Sequence, residues 1–401
     1  MAQTFFTLPE SPEDPIIGLM NAYARDQNPH KIDVSVGVYK TEEGDPNYVF
    51  PSVKAAKRIL AENDPGHCYT QMLGIPAFVA QAQKTIFGAN HKNVASVQSI
   101  SGSGALHLAF ELLREMGLRD VYVGTPCWLN YQGMIEHAGL KYHTYNYYAA
   151  QTHAVDFDSV LTALQQAPSK SVFVLQAVCH NPTGLDFSKE QWLQIFEIVK
   201  TRNLFPLFDI AYQGFSSGDV DEDAWAIREA WKQGFEFIAC QSYSKNMGLY
   251  SERVGCTHVC SKDEGAVATI RSELTRLIRA EFSFAPAFGA RVAAIIQETP
   301  ELREIWAKDV SDVTERIKGV RQKVLDTFTQ LKTPGSWDHV VNSHGLFWFT
   351  GLTPDQTQKL QDEHHIYGTL NGRVNVAGLN DSNIATYCAA VDAVVRKYPG
   401  N

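Results

Sequence analysis

Ser242-Tyr243-Ser244-Lys245-Asn246 puts a lysine just beyond an apolar run, Phe235–Ala239, and just before Gly248 and Leu249. Buried lysines are rare without a partner or a task. Desolvation lowers an amine's pKa and makes it the nucleophile that condenses with carbonyl groups. Arg253 follows eight residues on, near enough to meet the same ligand. A second apolar run ends in a carboxylate: Leu207 and Phe208 precede Asp209, and Tyr212 follows. A buried carboxylate needs a cationic or hydrogen-bonding partner, and a protonated pyridine nitrogen would serve. A third segment, Ser101-Gly102-Ser103-Gly104-Ala105, leads into Leu106, Ala109, Phe110 and Leu113 at helical spacing. Small residues there let backbone N–H groups approach an anion, the helix N-terminus adds a favourable dipole, and two hydroxyls add donors. The plainer alternatives are a surface-loop lysine, a helix-capping aspartate and a capped turn.

Some patterns mislead. Ser242-x-x-Lys245 matches a serine acylase pattern, but the Lys-Thr-Gly and Ser-Asp-Asn partners are missing. Gly214 to Gly218 matches an esterase elbow, yet Asp219-Val220-Asp221-Glu222-Asp223 follows instead of an apolar helix face. No Gly-Lys-Ser/Thr follows Gly104, and no Gly-x-Gly-x-x-Gly links a strand to a helix, which argues against Walker-type and dinucleotide-binding loops. Cys256, His258 and Cys260 read as core residues, because no second pair stands nearby to complete a zinc site. No metal is expected.

The elements that must position these groups alternate. Strand-like runs at Val121–Val123, Val172–Leu175, Leu204–Phe208 and Phe235–Ala239 are separated by helical patterns such as Lys189–Thr201. This is the pattern of an α/β protein with a mostly parallel sheet covered by helices, and its ligands bind beyond the carboxyl ends of the strands. Ahead of it lie a proline-marked arm, a helix over Ile16–Arg25, and Ile32–Tyr39, which alternates like a strand. Thr299 can cap a long helix that starts at Pro300 and carries Trp306, Val310, Val313, Ile317, Val320 and Val324 as one stripe. Strand-like Gly345–Phe349 and Arg373–Val376 follow, for a smaller α+β domain that the strand near Val36 joins. The expected division is an arm at 1–13, a large domain at 47–312, and a small domain from 14–46 and 313–401.

The net charge of −9, with 44 acidic and 35 basic residues, disfavours duplex DNA and anionic membranes as partners. Seven cysteines, an odd number thinly spread, read as free buried thiols in a reducing compartment. The acidic, proline-interrupted start does not read as a leader, and no run is long and apolar enough for a membrane helix.

Taken in order, these segments resemble the class I (fold-type I) aminotransferases, near the aspartate/aromatic subgroup. The resemblance rests on Gly37 in Val36-Gly37-Val38-Tyr39, Ser101 to Ala105, Trp128-x-Asn130 and His180-Asn181-Pro182-Thr183-Gly184. It continues through Asp209 to Phe215, Ser242 to Asn246, Gly248 to Gly255, and Gly372-Arg373-Val374-Asn375. It implies pyridoxal 5'-phosphate as cofactor, carried by Lys245 as an internal aldimine, and ping-pong transfer of an amino group. Asp209 would keep the pyridine nitrogen protonated. Asn181 and Tyr212 would bond the phenolic oxygen, and Trp128 would stack on the ring. Ser101, Gly102, Ser103, Ser242 and Arg253 would hold the phosphate, with Tyr69 reaching it from a neighbouring subunit. Arg373 would clamp the substrate α-carboxylate, aided by Asn181, Trp128 and Gly37. Arg279, from the other subunit, would read a distal carboxylate, so the enzyme would be a cytoplasmic homodimer with shared sites.

The chain departs from that family at Tyr69-Thr70-Gln71-Met72, at Tyr131 and Gln176 where histidines are usual, and at Ser283-Phe284-Ala285-Pro286. The two lost histidines imply an altered network around Asp209. Phe284 puts apolar bulk near the substrate end. The expected reaction joins L-aspartate or glutamate with 2-oxoglutarate, with aromatic amino acids as further substrates. The alternative is a divergent enzyme of the same fold that performs β-elimination, decarboxylation or substitution. A non-catalytic relative would be expected to lose Lys245 or Asp209, and both are present.

Overall fold

The computed structural model describes residue 5 and residues 7–399. The apolar runs at mid-chain close into a seven-stranded sheet. From edge to edge the strands are Val94–Ile100, Val254–Cys260, Phe237–Ser242, Phe205–Ile210, Val172–Gln176, Asp120–Thr125 and Lys141–Asn146. Val254–Cys260 is antiparallel to both neighbours, and the other pairings are parallel. The central strands are buried along their length, which is why they read as continuous apolar runs. Helix Lys189–Thr201 packs Trp192 and Phe196 with Phe173 and Phe208 on one face. Helices Ser101–Glu115 and Ala266–Glu281 cover the other with Leu106, Phe110, Leu113, Leu274 and Ile278.

Three of these strands are absent from the sequence expectation, and Val94–Ile100 shows why. Its polar residues are satisfied inside the sheet: Gln83 donates to Ser96 Oγ at 2.7 Å, and Ser96 Oγ meets His258 Nδ1 at 2.8 Å. His258 Nε2 lies 3.1 Å from Gln241 Oε1, so both ring nitrogens have neutral partners between Cys256 and Cys260. All seven cysteines are free, but Cys68 is exposed and Cys127 only partly buried, so the reading of buried thiols fails for those two.

The expected strand over Ile32–Tyr39 shrinks to Ile32–Asp33, paired in parallel with Ile366–Tyr367. Beyond it the backbone is held by side chains: Asn375 Nδ2 donates to the carbonyls of Val36 at 2.6 Å and Val38 at 2.8 Å. The alternation there reflects burial without a ladder. Phe347–Phe349 pairs antiparallel with Arg373–Asn375. The long helix runs Pro300–Leu331 and buries the whole expected stripe. Thr299 takes its N-cap position, but its side chain makes no capping bond, contrary to expectation. That stripe shares one core with Tyr212, Phe215 and Met247 from the sheet side and with Leu346, Phe347, Val376 and Tyr387 from the C-terminal side. The first helix begins at Pro15 on Asp14, whose carboxylate accepts the Ile16 N–H at 2.9 Å. Of the expected arm, residues 1–4 and 6 lie outside the described residues. No helix among the described residues is long and apolar enough to cross a membrane.

Candidate active site

Gln176 and Ser242 end two parallel strands and Asp209 is the penultimate residue of the strand between them, so the sheet brings a carboxamide, a carboxylate and a hydroxyl to one rim. The edge strand Val94–Ile100 delivers Ser101 and its helix N-terminus to the same rim. Ser101 and Arg253 both adopt left-handed backbone, with φ of 61° and 56°, and the Ser101 N–H donates to the Arg253 carbonyl at 3.0 Å. Strain of this kind persists only where the surroundings over-determine it. Gly255 permits the approach: a Cβ there would lie 2.5 Å from the Ser101 carbonyl carbon.

These segments enclose a cavity of about 210 Å³. Ser101, Gly102, Ser103, Ser242, Ser244 and Arg253 line one part; Trp128, Asn181, Asp209, Tyr212 and Lys245 line another, and Gly37 also borders it. Ser101 Oγ lies 2.7 Å from Ser244 Oγ and 3.3 Å from Ser242 Oγ. A Cβ on Gly102 would come within 3.1 Å of the Ser242 Cβ, so glycine keeps the helix end open. Four serine hydroxyls, the first-turn N–H groups that follow Ser101 and a guanidinium make a cradle for a dianionic phosphate.

At the other end Asp209 is 7% exposed. Burial raises its pKa to about 6, against the lowering effects of the Tyr131 hydrogen bond and of Lys245. Burial also takes Lys245 down to about 8, with Asp209 pulling upward and Arg253 pushing further down. Its Nζ sits 4.7 Å from the centre of the Tyr212 ring. Burial raises the Tyr212 phenol. A carboxylate that remains hard to ionise is one short of a cation, which a protonated pyridine would supply. Phosphate cradle, carboxylate and amine therefore fit a phosphorylated pyridine aldehyde.

Arg373 stands beside this cavity. Its guanidinium donates to Asn181 Oδ1 at 3.2 Å and to the Ser35 carbonyl at 2.8 Å, and lies 4.3 Å above the Phe347 ring. Its buried Nε has no partner, which leaves donor capacity for a carboxylate. Burial lowers its pKa. Gly37 is fixed by the same ring: a Cβ there would meet Phe347 Cζ at 2.6 Å.

Tyr69 and Arg279 are not part of this cavity. Tyr69 is 82% exposed and stacks on Phe284 at 4.9 Å. Arg279 is exposed near the end of helix Ala266–Glu281 and donates to Ser283 Oγ at 3.0 Å. The altered Asp209 network is explicit. Tyr131 bonds Asp209 directly, while Gln176 turns to the Asn181 backbone, accepting its N–H at 2.8 Å and donating to its carbonyl at 3.1 Å. Ser244 and Tyr250 also line the cavity and are absent from the sequence-based site. Ser244 sits inside the lysine motif and Tyr250 inside the Gly248–Gly255 segment, so both could have been found there.

The aminotransferase class I and II family matches residues 29–391. The cytoplasmic aspartate aminotransferase of Saccharomyces cerevisiae is 41% identical over 402 residues, covering 96% of each chain. The solved structure of aspartate aminotransferase from Saccharomyces cerevisiae cytoplasm superposes with a TM-score of 0.95 at 40% identity, over 98% of this chain and 99% of that one. An aromatic-amino-acid aminotransferase from Burkholderia pseudomallei, solved covalently bound to pyridoxal phosphate, reaches 0.95 at 32% identity, over 98% and 100%.

Proposed function

The chain belongs to the class I and II aminotransferases, and on that premise we propose that it transfers the amino group of L-aspartate, and of aromatic amino acids, reversibly to 2-oxoglutarate to give L-glutamate. The observation that carries the reading is the enclosed pairing of Lys245 with Asp209 beside a phosphate cradle. Pyridoxal phosphate, when bound, supplies an electron sink that makes the substrate α-proton labile.

The protein supplies the rest. Lys245 would hold the cofactor through its amine and, when free, would take the proton from the substrate α-carbon; desolvation makes its amine a competent base near neutral pH. Asp209 would hold a proton on the pyridine nitrogen. Tyr212 and Asn181 would donate to the ring oxygen, and Trp128 would pack against the ring. Ser101, Gly102, Ser103, Ser242, Ser244 and Arg253 would hold the phosphate and so position the group. Arg373 orients the α-carboxylate bidentately from a desolvated position, and Asn181 and the Gly37 backbone assist it.

Tyr69 and Arg279 act in this scheme from a second copy, as phosphate ligand and distal-carboxylate reader of a shared site. Their exposure and their absence from the lining of the single-chain cavity support that role. A cytoplasmic homodimer is the form proposed, in line with the location named for the Saccharomyces cerevisiae relative. Retention of the lysine, the carboxylate and both arginines favours transfer over elimination or decarboxylation.

The test is to load purified protein with pyridoxal phosphate and measure oxaloacetate formed from L-aspartate and 2-oxoglutarate, then phenylpyruvate from L-phenylalanine. Turnover with aspartate is expected to exceed that with phenylalanine. A visible chromophore that neither amino acid discharges would overturn transamination.

A further inference from the structure

Tyr131 is fully buried at the first turn of helix Asn130–His137, and its hydroxyl donates to Asp209 Oδ2 at 2.5 Å. Trp128, three residues before it, meets the Tyr131 ring edge-on at 5.4 Å. One short segment thus carries a ring that borders the cavity and the donor that grips the carboxylate in it. We propose that Tyr131 is the positioning residue for Asp209: its hydroxyl, donating to the carboxylate, favours the anion and keeps it aimed into the cavity. The role rests on the reading of Asp209 as the partner of a protonated pyridine nitrogen.

The groups facing this contact are few. Asp209 meets Tyr131 from the helix, Lys245 from the loop after Phe237–Ser242, Tyr212 from its own turn, and Cys240 from the adjacent strand. Tyr131 faces Asp209, Cys127 and Cys240. Lys245 is thus the one cation in the set, and it is the group that must be consumed when the cofactor is bound. Tyr131 then remains as the carboxylate's protein donor among these groups. A charge-assisted hydrogen bond in a low-dielectric site is strong and short, which suits the observed distance. Burial and the neighbouring carboxylate both push the phenol upward, so it stays a donor where an imidazole would change charge.

The nearby histidine does not share the task. His180 Nδ1 lies 2.9 Å from Thr183 Oγ1, its ring stacks on Tyr147 at 3.9 Å, and burial drives its pKa down to about 3, so it stays neutral. Gln176, level with Asp209 on the next strand, spends its amide on the Asn181 backbone.

The experiment compares wild type, Tyr131→Phe and Tyr131→His. In cofactor-free protein, the Asp209 midpoint is followed by carboxylate infrared difference spectroscopy, with Asp209→Asn to assign the band. Tyr131→Phe is expected to raise the midpoint by about one to two pH units, the equivalent of one charge-assisted hydrogen bond. In loaded protein, kcat is expected to fall by about tenfold or more, with KM for the amino acid little changed, because Arg373 and the phosphate cradle are intact. Tyr131→His is expected to restore part of kcat and to add an ionisation to its pH profile that wild type lacks. An unmoved midpoint and an unmoved kcat in Tyr131→Phe would overturn the positioning role while transamination stands. A wild-type protein that does not take up pyridoxal phosphate would overturn the functional reading and, with it, this one.

Discussion

Lys245 and Arg279 are two cations assigned to one reaction, and their settings are opposite. Lys245 is enclosed and meets Asp209, Arg253 and the Tyr212 ring within its own chain. Arg279 stands in solvent near the end of a helix, and among the described residues its side chain bonds Ser283 alone, four residues on. The first environment perturbs its group strongly, because desolvation and charged neighbours act together. The second leaves its cation free for a ligand the single chain does not bring to it. The contrast teaches that one chain brings together the lysine, the carboxylate and most of the phosphate cradle, whereas on the proposed reading Arg279, and the phosphate contact of Tyr69, would come from a second copy.

The largest effect that sharpens this contrast is expected at the lysine. Lys245→Met should abolish transfer, by at least about a thousandfold in kcat, and should prevent borohydride from fixing the cofactor to the protein. Activity within tenfold of wild type would break the assignment of the enclosed end.

Arg279→Ala should cost about a hundredfold in kcat/KM with aspartate and much less with phenylalanine, because one carboxylate loses its charged partner. Its sharper use is in mixture. Neither Lys245→Met nor Arg279→Ala alone should turn over aspartate well, but chains unfolded and refolded together should recover about a quarter of wild-type activity. Half the dimers would be mixed, each with one intact shared site. No recovery, with dimers confirmed by sedimentation, would show that each chain completes its own site.

The smallest effect concerns stability. Lys245 has a folded-state pKa of about 8 against 10.5 for the free side chain, so its neutral form is favoured on folding. The stability it permits is present above 10.5 and is lost as pH falls through 8. Cofactor-free Lys245→Met should therefore gain on wild type as pH is lowered through that window, by roughly 3 kcal/mol at most, and the gap should hold steady below it. Thermal unfolding at stepped pH measures this. A gap that does not change with pH would mean the lysine is not desolvated.

The burial that perturbs Lys245 was legible in the chain because strand, polar turn and lysine are contiguous, and the same holds for Asp209 behind Leu207 and Phe208. Helix Lys189–Thr201 and the stripe from Trp306 to Val324 were legible because each pays for its burial locally, in one periodic run. Strands such as Val94–Ile100 were hidden because their buried Ser96 and Gln98 find partners on other segments. The alternation of Ile32–Tyr39 misled for the mirror reason: its backbone is satisfied by Asn375, more than three hundred residues away.

The sequence by itself determined the alternating α/β order, the lysine, carboxylate and serine–glycine segments, and their resemblance to one enzyme family, because each is carried by neighbouring residue types. Only the tertiary structure decided that Tyr131 grips Asp209, that Gln176 serves Asn181, and that Ser244 joins the cradle. Those outcomes depend on which strand ends become neighbours. Long-range pairing sets this, and no local pattern encodes it.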